Sequence, residues 1–65
     1  MSGYTLEGVD GNSFAIIAYV TKAMRKEGKV STQRDEFTKD AMSGDYDTLI
    51  QKSLAMLDKL NEGVN

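Results

Sequence analysis

Ser13-Phe-Ala-Ile-Ile-Ala-Tyr-Val-Thr-Lys-Ala-Met-Arg-Lys-Glu27 is the stretch on which the fold turns. Its apolar side chains recur at helical rather than alternating spacing. At about 100° per residue, Phe14, Ile17, Ala18, Thr21 and Met24 share one side. Asn12 or Ser13 supplies the short side-chain oxygen that accepts from an unpaired first-turn N–H. Lys22, Arg25 and Lys26 gather late, where cations complement the helix dipole, and Gly28 is suited to a left-handed terminator. Together these signals predict a helix over 13–27.

Downstream, Ser31 or Thr32 opens a second helix over 32–42, with Thr32 and Asp35 as a variant capping box and a thin stripe of Phe37 and Ala41. Ser43-Gly44 closes it, and Asp45 caps a third helix over 46–61. In that turn Gly44 is expected at positive φ, and Tyr46 is expected to bury its ring while its hydroxyl reaches water. The third helix carries a broad stripe of Tyr46, Leu49, Ile50, Ser53, Leu54, Met56, Leu57 and Leu60. Upstream, Gly3, Gly8 and Gly11 surround only three apolar residues, Tyr4, Leu6 and Val9, so residues 1–11 read as a flexible arm. The expected architecture is all-α: a small three-helix bundle over 12–62 with that arm, and a frayed end over 63–65. Its core is expected to contain Phe14, Ile17, Ala18, Thr21, Phe37, Ala41, Tyr46, Leu49, Ile50, Leu54, Leu57 and Leu60.

Composition narrows the chemistry. Among 65 residues there is no Cys and no His, which excludes a disulfide framework, zinc finger, thiol nucleophile or imidazole acid/base. No base-activated nucleophile is present, so neither enzyme activity nor a small-molecule substrate is expected, and no cofactor is implied. Asp45 and Asp47 do not open a calcium loop, because the terminal Glu that such a loop needs is Met56 when counted from Asp45 and Gln51 when counted from Asp40. The longest apolar run, Phe14 to Val20, is far short of the ~20 residues that span a bilayer. With no basic leader at the start, a cytoplasmic location and no membrane partner are expected.

Two surfaces are candidates for function. Helix 1 is apolar on a second side as well, through Ile16, Tyr19, Val20 and Ala23. Such a helix is either clamped between two neighbours or presents a patch to a partner. Helix 2 offers little beyond Phe37 to cover that side. The leading expectation is therefore a non-enzymatic protein-interaction module, self-associating as a homodimer or binding another protein through these four residues. The alternative is a small nucleic-acid-associated regulator using Lys22, Arg25, Lys26 and Lys29. Residues 22–34 hold five cations against Glu27, and residues 35–47 hold five acids against Lys39. Helix dipoles account for the same segregation, there is no aromatic stacking platform, and the mixed-to-acidic helix 2 would be repelled by phosphate.

The strings Asp10-Gly-Asn-Ser-Phe-Ala-Ile16, Arg25-Lys-Glu-Gly28 and Ala41-Met-Ser-Gly-Asp-Tyr-Asp-Thr-Leu49 resemble a family of short uncharacterised proteins encoded in bacteria, phages and other mobile elements. The similarity covers roughly 10–60, and Ser-Gly-Asp-Tyr-Asp is its most specific part. Family members commonly carry a basic or amide residue, often His, where Thr48 stands. The resemblance implies a small helical intracellular protein and no particular activity.

Overall fold

A computed structural model describes residues 3–63 as three α-helices, α1 (Ser13–Lys26), α2 (Ser31–Ala41) and α3 (Tyr46–Glu62), with every pair in contact. It is a small all-α three-helix bundle. Beyond Gly63, the expected frayed end lies outside the described residues. Short connections make successive helices antiparallel, so α1 and α3 run the same way.

Local chemistry sets the helix ends. Asn12 Oδ1 accepts from the Phe14 N–H at 2.8 Å, and Asp45 Oδ1 accepts from the Thr48 N–H at 3.0 Å. The N-cap of α2 is Val30, which has no side-chain oxygen. Only the return half of a capping box forms there, with the Val30 N–H donating to Gln33 Oε1 at 3.0 Å. Gly28 ends the α1 turn at φ 85°, a conformation that favours glycine. Gly44, expected at positive φ, is not. Glycine is required there for space: a Cβ would stand 2.8 Å from Thr48 Oγ1, because Thr48 folds back to donate to the Asp45 carboxylate.

The core consists of Ile16, Val20, Ala23, Met24, Phe37, Ala41, Leu49, Leu57 and Leu60, with the buried Ser53 among them. Each helix contributes one small buried residue (Ala23, Ala41 or Ser53), which lets the backbones approach closely. Phe37, Ala41, Leu49, Leu57 and Leu60 are thus where the sequence puts them. Helix 1 is not: its buried arc is rotated by about 100° from the expected one. Phe14 is 72% exposed, Ala18 is exposed, and Ile17 and Thr21 are half-buried. Ile16, Val20 and Ala23, expected to face a partner, are at most 3% exposed, and Tyr19 is half-buried. The cause is the charge on the helix. Lys22, Arg25 and Lys26 must reach water, and the direction opposite their mean falls between Val20 and Met24 rather than on Ile17. On α3, Leu54 is exposed, Ile50 is half-buried, and Tyr46 is 49% exposed with its hydroxyl donating to the Gly11 carbonyl at 2.7 Å.

The N-terminal segment, expected to be flexible, is tethered at both ends. The Tyr4 N–H donates to Asn61 Oδ1 and the Asn61 Nδ2 donates back to the Tyr4 carbonyl, both at 2.8 Å. The Tyr4 hydroxyl donates to Glu27 Oε2 at 2.8 Å. These contacts hold Tyr4 at the C-terminal ends of α1 and α3, and the Tyr46–Gly11 bond holds the other end at their N-termini. Residues 4–11 therefore form a strap antiparallel to both helices. The 14-residue α1 is about 21 Å long, and eight extended residues reach about 26 Å, so only a single tight turn fits. That turn is closed by the Val9 N–H on the Leu6 carbonyl at 3.0 Å. Tyr4, Leu6 and Val9 pack against the core to which helix 1 gives Ile16, Val20, Ala23 and Met24, while Phe14 on its other side stays exposed.

Candidate functional site

A three-helix bundle has three grooves between its helices, and each is different here. The α1–α3 side carries the strap. The interface expected on helix 1 does not exist as a surface, since Ile16, Val20 and Ala23 are interior to that packing.

Between α2 and α3 lies an open groove of about 790 Å³. Phe37, Ala55 and Met56 supply its apolar floor. Over most of its length its α2 wall bears Glu36 and Asp40 and its α3 wall bears Lys52 and Lys59, while at one end Lys29 stands beside α2 and Glu62 closes the α3 wall, reversing the signs there. Lys52 Nζ reaches Asp40 Oδ2 at 3.3 Å, bridging the walls at one level. Both partners are about half exposed, so the pair holds the groove only weakly. The central arrangement follows from the sequence. Glu36 and Asp40 stand four apart on α2, and Lys52 and Lys59 stand seven apart on α3, so each pair shares a helix face.

Between α1 and α2 is a smaller cleft of about 300 Å³, lined by Ala18, Thr21, Lys22, Arg25 and Arg34. The four expected nucleic-acid contacts are consequently divided. Lys22 and Arg25 line this cleft, Lys26 is exposed outside it, and Lys29 lines the α2–α3 groove beside carboxylates. Arg34, the fifth cation of the basic run but not among the four expected contacts, joins the cleft. Its signal was present, because it belongs to the same basic run 22–34.

The Ser43–Asp47 turn serves the start of α3. The Thr48 backbone N–H, then its hydroxyl, donate to the Asp45 carboxylate and hold its pKa below the ordinary value. Among the described residues no cluster of acids could hold a metal ion, and no helix is long and apolar enough to cross a membrane. Comparison with family models, curated proteins and solved structures finds no match.

Proposed function

We propose that the protein is a non-enzymatic protein-interaction module that seats an amphipathic helix of a partner protein in the α2–α3 groove. One observation carries this reading: the chain covers its α1–α3 side with its own strap and leaves the α2–α3 groove open, with an apolar floor flanked at its centre by Glu36 and Asp40 on one side and Lys52 and Lys59 on the other. The complementary helix places apolar residues at i, i+3 and i+4 over Ala55 and Met56. Its basic flank lies beside Glu36 and Asp40, and its acidic flank beside Lys52 and Lys59. Floor burial supplies affinity, and the two walls set direction.

Ala55 is exposed, so Ala55→Glu alters the floor at little cost to folding. Proteins captured by the wild-type chain should be lost with Ala55→Glu and kept with Leu54→Ser, on the flank of α3 away from the groove. Equal capture by the two variants refutes the groove as the docking face. Sedimentation equilibrium tests the competing occupant, a second copy: a dimer dissociated by Ala55→Glu replaces the partner helix with the protein itself.

A further inference from the structure

We infer that the α1–α2 cleft is a binding site for a single phosphoryl group, offered by inorganic phosphate or a small phosphorylated molecule. Lys22 and Arg25 of α1 and Arg34 of α2 line it, and no carboxylate does. The chain has ten acids against eight Lys and Arg, so counter-charges are not scarce. Even so, none of these three cations forms an ion pair with a described residue.

Helix dipoles explain only part of the cluster. Lys22 and Arg25 lie in the second half of α1, where the dipole favours cations. Arg34 is the fourth residue of α2, at the end where the dipole opposes a cation. Its Nη1 donates to the Lys29 carbonyl at 2.7 Å, which anchors the guanidinium. The other side-chain N–H donors have no partner among the described residues, and a guanidinium held this way is preorganised for two oxygens of one oxyanion. An anion seated among three cations also removes their mutual repulsion. The Thr21 hydroxyl donates to the Ile17 carbonyl at 2.9 Å, so recognition rests on the cations. Asp35 and Glu36 follow Arg34 directly and are exposed. They repel the flanking phosphates of a polynucleotide, which favours one compact group over a chain.

The test is a titration of the 15N-labelled protein with inorganic phosphate and with phenyl phosphate, chloride holding ionic strength constant. Saturable amide shifts confined to 18–25 and 31–38 are expected. Binding should weaken at least tenfold in Arg25→Gln, whose side chain has no partner to lose, and in Arg34→Gln. Lys59→Gln, in the other groove, should bind as wild type. Tighter binding of phenyl phosphate identifies an organic phosphate as the better ligand, and equal binding identifies inorganic phosphate. Shifts that do not saturate, or wild-type affinity in Arg25→Gln, overturn the site. A single-stranded oligonucleotide that binds a hundredfold tighter than phenyl phosphate, with a salt slope steeper than the about 2 that three contacts allow, overturns it in favour of a nucleic-acid surface.

Discussion

Asn61→Ala tests the strap at its strongest tether. Asn61 is half-buried, and its amide makes both hydrogen bonds to the Tyr4 backbone, across 57 residues of sequence. Each bond contributes about 0.5–1.5 kcal/mol net, and partial solvent access favours the lower half, giving about 1–2 kcal/mol for the pair. A domain of this length has a total stability of about 3–10 kcal/mol, so the loss is a large share. At about 4–8 °C per kcal/mol, the thermal midpoint should fall by roughly 4–16 °C. Circular dichroism at 222 nm measures the midpoint, and amide exchange should speed up over residues 4–9 in the same variant. Asn61→Asp sharpens the reasoning, because it keeps the acceptor for the Tyr4 N–H but faces the Tyr4 carbonyl with an oxygen. It should not restore wild-type stability. An unchanged midpoint together with unchanged exchange in Asn61→Ala refutes the tether.

The phase of helix 1 is tested by a pair of truncations. Ile16→Ala should cost about 2–5 kcal/mol and Phe14→Ala no more than about 0.5 kcal/mol by urea denaturation, and the reverse order restores the expected phase. Ser53 is fully buried with no hydrogen-bond partner for Oγ, so Ser53→Ala should stabilise by about 1 kcal/mol; destabilisation would reveal a partner for that hydroxyl. The lowered pKa of Asp45 gives stability that is complete above the ordinary carboxylate value of 3.8 and lost as pH falls through the lower folded value. Asp45→Asn should therefore melt like wild type near pH 7 and show a shallower loss below pH 4; an unaltered acid limb refutes the cap's role.

What was legible in the sequence was local. The caps at Asn12 and Asp45 and the glycine terminator at Gly28 follow from chemistry within three or four residues, and all three helices stand within a residue of their expected bounds. The phase of helix 1 was harder, because two apolar arcs compete and apolar periodicity alone cannot choose between them. The cations could have chosen: Lys22, Arg25 and Lys26 point away from Val20, not away from Ile17. The strap was beyond a local reading. Its anchors pair Tyr4 with Asn61 and Gly11 with Tyr46, and a glycine-rich segment with three apolar residues gives no sign of such distant partners. Without the strap, the Ile16, Val20 and Ala23 side of helix 1 reads as an uncovered docking face when it is the core. The α2–α3 groove was hidden for a related reason, since its walls come from charges on two helices that only packing sets opposite one another.

Only with the strap as part of the fold is the Ile16, Val20 and Ala23 side of helix 1 covered, which leaves the α2–α3 groove as the larger open one. Steady-state 15N relaxation of the full chain measures this directly. Residues 4–9 should give order parameters of about 0.8, close to those of α1 and α3. Values below about 0.6 throughout that segment would return the strap to solvent, uncover helix 1 and contradict the account.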